Sequence, residues 1–384
     1  MSATSAQFII ELTNICNFRC TYCYLEHSST ISQNSGHKMN KHVAERTMEY
    51  IYKNFSNIMS HVYIDFLDGE PLLNFPMLKI MVERGKLLAD PGFFVFRFTT
   101  NGSLLDKNII EYAMLNNIYF NISVDGTPHT HDTNRVLDNG SGTSSVVFDK
   151  FDLIEDKSRI GIISTYAPNT INDIVSGTEF LIEKGFKNIE LCVCMGISDR
   201  YDPQELLSSF SNAVDIFINR YDKNIYDCRN VALDNILETL FSKYINGSSG
   251  ESRGCIKPYK VNFEGDVYSC DRIPKEFNHR IASVFDKQPI DHINFHSKHS
   301  CNNLVFDSCS TCQNSSCCAP CYVYVNDFYS NLLKNGEYAY CAMKKILLHK
   351  ALELFNRKKG DILFNIAFSR DIKNKLLDGD YEIT

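Results

Sequence analysis

Cys16, Cys20 and Cys23 stand close together in the string TNICNFRCTYCYLEH. Three thiolates at x3 and x2 spacing can wrap one face of a metal cluster or of a soft metal ion. A closed structural zinc site takes four ligands. Three suit an iron–sulfur cluster with one iron left open to a further ligand. Zinc, or three loop cysteines without a metal, are the competing readings of this spacing. Nine more thiols fall between Cys255 and Cys341: Cys255, Cys270, Cys301, Cys309, Cys312, Cys317, Cys318, Cys321 and Cys341. Nine thiols can coordinate two clusters, and a pair of ribbon-type zinc sites is the alternative. Cys192, Cys194 and Cys228 are scattered. Cys192 and Cys194 lie two apart on an apolar run, so they face one way and read as buried thiols.

Composition narrows the chemistry. Fifteen cysteines in 384 residues is about 4%, below the roughly 8–10% of a short disulfide scaffold. A chain of this length buries a core without staples, and an odd count does not pair completely. Net charge is −7, from 39 basic and 46 acidic residues, which gives no basic footprint for nucleic acid. No apolar run reaches the ~18 residues of a membrane span. The N-terminus MSATSAQFIIELTNICN lacks the basic start and apolar core of a secretory signal. A reducing cytoplasm is the expected location, and there clustered thiols bind metal more often than they form disulfides.

The elements that must carry these thiols follow a simple rhythm. Strand candidates rich in Ile, Val, Phe and Tyr lie at 7–13, 61–67, 93–99, 118–124, 159–166 and 187–194. Helix candidates lie between them, at 41–56, 74–89, 106–116, 143–156, 171–185 and 203–221. Val43, Thr47, Tyr50 and Ile51 share one face of the first helix, and Pro203 suits the first turn of the last. Six β-then-α units predict parallel strands joined by right-handed crossovers. Six are too few to close an eight-stranded barrel, so the expected fold class is α/β, a partial (β/α)6 TIM-like barrel. Its chemistry belongs at the C-terminal ends of the strands. Cys16, Cys20 and Cys23 follow directly on the first strand. The expected organisation is a barrel over 1–230, a bridging helix and Gly/Ser-rich linker over 231–254, a cysteine-rich domain over 255–341, and a helical tail over 342–384.

C-x3-C-x-aromatic-C after a first strand, in a body of six β/α units, resembles the radical S-adenosylmethionine (radical SAM) superfamily. The resemblance implies that Cys16, Cys20 and Cys23 hold a 4Fe–4S cluster. It also implies that the amino and carboxyl groups of SAM chelate its fourth iron. Tyr22 matches the aromatic position that lies near the adenine. Asp68-Gly69-Glu70-Pro71 resembles the family's Gly-Gly-Glu-Pro motif, with Asp68 in place of the first glycine. By resemblance, Gly69, Glu70 and Pro71 approach the SAM amino group. Thr100-Asn101-Gly102 is similar to the family's Thr-Asn-Gly turn. Ser123-Val124-Asp125-Gly126 is similar to Ser-x-Asp-Gly, whose serine meets the SAM ribose or carboxylate. Arg135 matches an arginine that pairs with the SAM carboxylate by a bidentate fork. Met195, after the sixth strand, is expected to contribute a backbone contact to adenine. Each tetrapeptide alone is weak, because turn residues after strands are common. Together they mark strands one to four in order.

The C-terminal cysteines resemble the SPASM extension of radical SAM enzymes, which implies two auxiliary 4Fe–4S clusters and three clusters in all. Carried over, Cys255, Cys270 and Cys321 serve the first auxiliary cluster. Cys309, Cys312, Cys318 and Cys341 serve the second. Cys317 rivals Cys318, because the family's x5 and x3 spacings are not both met. The fourth ligand of the first auxiliary cluster is Cys301, substrate, or none. Asp271, after Cys270, matches an acidic residue near that cluster and is the candidate catalytic proton acceptor.

SPASM enzymes mostly act on peptides or proteins. The expected function is maturation of a ribosomally made precursor peptide by an intramolecular side-chain crosslink, cyclophane or ether. The alternative is anaerobic sulfatase maturation, oxidising a Cys or Ser to formylglycine. A non-catalytic zinc or iron–sulfur scaffold is the reading from another class. The barrel starts within ten residues of the N-terminus, with no leader-recognition domain ahead of it, which counts against the first reading. The altered Gly-Gly-Glu-Pro motif and irregular SPASM spacing count against the second. Expected partners are the peptide substrate and an electron donor such as a flavodoxin or ferredoxin, with no nucleic acid and no membrane.

Overall fold

The computed structural model describes residues 5–23, 36–194, 200–246, 259–268, 280–287 and 333–361, with Phe364 and Ala367. The chain divides into two compact units, 1–123 with 131–160 and 256–300, and 124–130 with 161–255 and 301–384.

In the first unit, strands β1 (Ser5–Ile10), β2 (His61–Phe66), β3 (Phe94–Thr100) and β4 (Tyr119–Ser123) pair in parallel, in sequence order. Helices α1 (Lys41–Phe55), α2 (Phe75–Leu88) and α3 (Lys107–Leu115) connect them. Alternation on β2 buries Val62, Ile64 and Phe66, as the period of a pleated strand requires. Helix α1 starts where the Asn40 side chain accepts from Val43 N–H at 3.0 Å. It buries Val43, Ala44, Thr47, Met48, Tyr50, Ile51 and Phe55, the face anticipated from spacing, and packs on α2.

The free side of β1 is covered by strands from beyond the linker. β8 (Tyr259–Val261) runs parallel to β1, with Ile9 opposite Lys260. β9 (Asp266–Tyr268) and β10 (Arg280–Ser283) extend the sheet antiparallel. None of these three was expected from periodicity. They have three or four residues each, too few for alternation to show.

In the second unit, β5 (Ile160–Tyr166), β6 (Asn188–Val193) and the two-residue β7 (Arg229–Asn230) pair in parallel. With them go α6 (Ile174–Glu183), α7 (Pro203–Asp222), α8 (Val231–Asn246) and α9 (Leu333–Lys358). Pro203 does sit in the first turn of α7, capped by Asp202 accepting from Gln204 and Glu205 N–H, both at 2.9 Å. Helix α9 packs on α7 and α8, with Lys350 to Asp215 at 2.6 Å and Phe355 edge-on to Phe241.

The fold class is the expected one, α/β with the parallel strands of a partial barrel, and all six anticipated strands form within three residues of their limits. Two helices differ. The run 143–156 holds only α5 (Ser144–Phe148) and a 3-10 turn at Phe151–Leu153. Short acidic side chains compete with helical backbone bonding there, and Asp156 accepts from Ser158 N–H at 3.0 Å. The C-terminal helix begins at Leu333 rather than 342, so Cys341 lies within α9. A further helix, α4 (Pro128–Asn134), follows its first-turn Pro128 with only His, Thr, Asp and Asn, poor helix formers that give no periodic signal. Among the described residues no helix is long and apolar enough to cross a membrane.

Candidate active site

Every described cysteine of the first constellation lies on the loop after β1, and that loop is held from two sides. On one side the turn after β2 presses against it. Glu70 N–H donates to Ile15 O at 2.8 Å. Gly69 (φ +58°) comes so near that a Cβ there would stand 2.5 Å from Thr13 O and 2.6 Å from Ile15 O. Only glycine tolerates both the left-handed backbone and the approach. On the other side, Arg19 N–H donates to Val136 O at 2.7 Å and Thr21 N–H to Asn134 O at 2.9 Å. The Thr21 hydroxyl also reaches Asn134 Oδ1 at 2.7 Å. Cys23 N–H closes a turn on Cys20 O at 3.0 Å.

The 134–136 segment is itself stapled. Asp132 accepts from Thr143 N–H (2.7 Å), Ser144 N–H (2.7 Å) and Ser144 Oγ (2.6 Å). Thr143 Oγ1 donates to Arg135 O at 2.7 Å and meets buried His131 Nε2 at 3.1 Å. Burial, with Arg135 beside it, pushes His131 down to about 3, so the ring stays neutral.

Cys16, Cys20 and Cys23 form no disulfide and are half-buried. Phe18 N–H points at Cys16 Sγ (3.5 Å) and so does Asn101 Nδ2 (3.9 Å). Arg135 Nη1 lies 4.0 Å from Cys20 Sγ, and its guanidinium sits 5.5 Å from the Tyr22 ring centre. Burial pushes the Cys16 thiol up to about 11, with Glu70 and Cys23 adding to the rise and the Phe18 and Asn101 donors opposing it. A metal must therefore displace its proton. Among the described residues no three His, Cys, Asp or Glu side chains converge on one ion. A cluster asks something different, one iron for each thiolate. Three thiols on one short loop, with N–H and guanidinium donors aimed at two of the sulfurs, fit an anionic iron–sulfur cluster.

Glu70 is buried, and its carboxylate accepts from Leu72 N–H (3.1 Å), Thr100 Oγ1 (2.7 Å) and Asn101 N–H (2.8 Å). Burial raises it to about 7 against those three donors. The side chain thus joins the turn after β2 to the end of β3. Pro71 opens the 3-10 turn Pro71–Asn74 that Glu70 caps. Asn101 Nδ2 donates to Asn17 Oδ1 at 2.8 Å, and Asn17 Nδ2 to Ser103 Oγ at 2.9 Å. Asn17 and Ser103 were not anticipated. An asparagine between two cysteines carries no signal until its partner after β3 is known.

Ser123 ends β4, half-buried. Asp125 lies in the other unit, fully buried, its Oδ1 accepting from Thr165 N–H at 2.9 Å. Gly126 (φ +71°) follows, where a Cβ would meet Gly177 Cα at 2.6 Å. Cys341 is half-buried on α9. Met195, Cys255, Cys270, Asp271, Cys301, Cys309, Cys312, Cys317, Cys318 and Cys321 lie outside the described residues.

Comparison with known proteins bears on this arrangement. Residues 10–197 match the sequence model of the Radical SAM superfamily. The cysteine-type anaerobic sulfatase-maturating enzyme of Clostridium perfringens (strain 13) is 25% identical over 269 residues, covering 67% of this chain and 71% of that one. Two solved structures share the fold. Native anSMEcpe with bound AdoMet and Cp18Cys peptide superposes with a TM-score of 0.73 at 20% identity, covering 93% of this chain and 99% of that one. Streptococcus suis SuiB bound to precursor peptide SuiA gives a TM-score of 0.55 at 16% identity, covering 84% and 72%. Cys16, Cys20 and Cys23, the two-sided clamp on their loop and the matched sequence agree: residues 10–197 form a Radical SAM superfamily domain.

Proposed function

We propose that the chain is a radical SAM enzyme that modifies a side chain within a peptide or protein segment, and that its reaction is oxidation of a Cys or Ser to formylglycine. The observation that carries this reading is the reach of the Clostridium perfringens similarity. It spans 269 residues, more than the domain at 10–197, so it extends past what every radical SAM enzyme shares. The weighing made from sequence alone is thereby reversed, and formylglycine formation moves ahead of crosslinking. Crosslinking of a precursor peptide is the second reading, favoured by Asp68, which replaces the first glycine of the family's Gly-Gly-Glu-Pro motif and marks a divergent branch.

When bound, the cluster and SAM together supply a 5′-deoxyadenosyl radical that abstracts a substrate hydrogen atom. The chain's own part is to hold and shield. Cys16, Cys20 and Cys23 provide three thiolates. Gly69, Glu70 and Pro71 shape the turn for the SAM amino group. Asn101, Ser123 and Arg135 lie on the same unit for its polar groups, Arg135 offering a cation for its carboxylate. Tyr22 supplies a ring for the adenine, and Asp125 and Met195 are carried as further contacts. Cys255, Cys270 and Cys321, and Cys309, Cys312, Cys318 and Cys341, are assigned to two auxiliary clusters, with Asp271 as proton acceptor. A flavodoxin or ferredoxin supplies electrons.

The test is an anaerobic assay of the reconstituted full chain with SAM, a reductant and a sulfatase-derived peptide containing one Cys. The expected product carries an aldehyde in place of the thiol and is captured by a hydrazine probe. A product lighter by two hydrogens and inert to hydrazine would establish crosslinking instead. No peptide-dependent 5′-deoxyadenosine would overturn both.

A further inference from the structure

Asp68 occupies a costly position. Its φ is +74°, and Gly69 after it is also left-handed at +58°. Glycine adopts this conformation freely, whereas a side chain there is strained, least so for Asn and Asp. Asp68 is also a buried carboxylate, 4% exposed, and a buried charge must be paired. Its partner comes from far along the chain. Lys260 on β8, 7% exposed, places Nζ 2.6 Å from Asp68 Oδ2 and 3.6 Å from Oε2 of Glu11, itself 2% exposed.

The register explains how the lysine arrives. Lys260 stands beside Ile9 on β1, and Glu11 follows β1 directly, its N–H donating to Val261 O at 2.9 Å. Asp68 follows β2, next to β1. One ammonium therefore meets the ends of two neighbouring strands, each at the point where a loop of the active site begins. From Asp68 the linkage continues through the Glu70 N–H to Ile15 O bond, and Ile15 is bonded to Cys16.

We propose that Lys260 is a positioning residue for the SAM-binding turn. Its ammonium holds Asp68 and so fixes Gly69, Glu70 and the loop that bears Cys16. Where a glycine would leave this corner of the turn held by backbone alone, the chain holds it with a buried ion pair. Removing the ammonium leaves the two buried carboxylates of Asp68 and Glu11 without it, and removing the Asp68 charge leaves Lys260 only the longer contact to Glu11; in either case the turn loses its tie to β8.

The test uses the full chain and three variants, Lys260→Gln, Asp68→Asn and Lys260→Arg. Asparagine keeps the left-handed preference of Asp68 and removes only its charge. SAM affinity is measured by anaerobic equilibrium dialysis on protein with its clusters in place. Hydrogen–deuterium exchange over 66–72 is measured on the cluster-free chain. Lys260→Gln and Asp68→Asn are expected to weaken SAM binding about tenfold and to speed exchange at the Glu70 amide about tenfold, with exchange over β5 and β6 unchanged. Lys260→Arg is expected to stay within about threefold of the parent in both. Unchanged affinity and exchange in Asp68→Asn would overturn the proposal, even if Lys260→Gln does not fold. So would an arginine variant as weak as the glutamine one. Neither readout involves the peptide substrate, so the outcome is independent of which reaction the enzyme performs.

Discussion

The backbone N–H of Glu70 donates to the carbonyl oxygen of Ile15 at 2.8 Å, one residue before Cys16. This bond brings the turn after the second strand onto the loop after the first. Gly69 also lies against Thr13 O and Ile15 O, so the two turns are pinned together at Thr13–Ile15.

Changing Cys16, Cys20 and Cys23 together to Ala removes the thiolates assigned to the SAM-binding cluster. The expected outcome is loss of about four irons per chain and no reductive cleavage of SAM, with the auxiliary iron retained. Iron and sulfide analysis with 5′-deoxyadenosine quantification checks it. Cleavage retained in the triple variant would refute the assignment.

Glu70→Ala leaves three donors, Leu72 N–H, Thr100 Oγ1 and Asn101 N–H, without their acceptor. Stranded buried donors are expensive, so the variant should lose about 3 kcal/mol of stability. Urea unfolding of the cluster-free protein measures it. A loss below about 1 kcal/mol would mean that water replaces the carboxylate.

Asp132→Ala opens the staple beneath the thiol loop, where one carboxylate accepts from Thr143 N–H and from the N–H and hydroxyl of Ser144. A cost of about 2–4 kcal/mol is expected, with faster amide exchange at Arg19 and Thr21. Gly142→Ala should act in the same direction, because its Cβ would lie 2.3 Å from Asp132 Cγ.

His131 sets an acid limit. The unfolded chain takes up its proton near the ordinary value of 6.5, but the buried ring in the folded chain does so only near 3. The stability it contributes is therefore complete above pH 6.5 and is lost as pH falls toward 3, at about 1.4 kcal/mol per unit. Urea titrations at pH 7, 6 and 5 should show that slope shrinking in His131→Asn. Equal slopes in the two proteins would show that His131 is protonated where it lies.

Much of this was legible in sequence for definite reasons. The six strands are runs of Ile, Val, Phe and Tyr long enough for alternation to show, and the thiol spacing alone pointed to a cluster. The motifs single out Glu70, Asn101 and Arg135 but not their contacts. Glu70 turns its carboxylate toward β3, and Arg135 lies by Cys20 and Tyr22. Pairings such as Lys260 with Asp68 join residues 192 positions apart, and nothing local marks either one as a partner. Asp132 carried no signal in the sequence, because its partners Thr143 and Ser144 lie beyond the turn that it holds.

The seat of β8 beside β1 has a consequence for how the protein is made. Phe8 pairs with Tyr259, so one flank of the first strand waits for roughly 250 residues of synthesis, about 10–50 s at common elongation rates. Through that interval the nascent chain offers an unsatisfied row of N–H and C=O groups next to the thiol loop. Until β8 is made, that open edge is a place for mispairing beside the thiol loop, and faster synthesis of the intervening residues shortens the exposure.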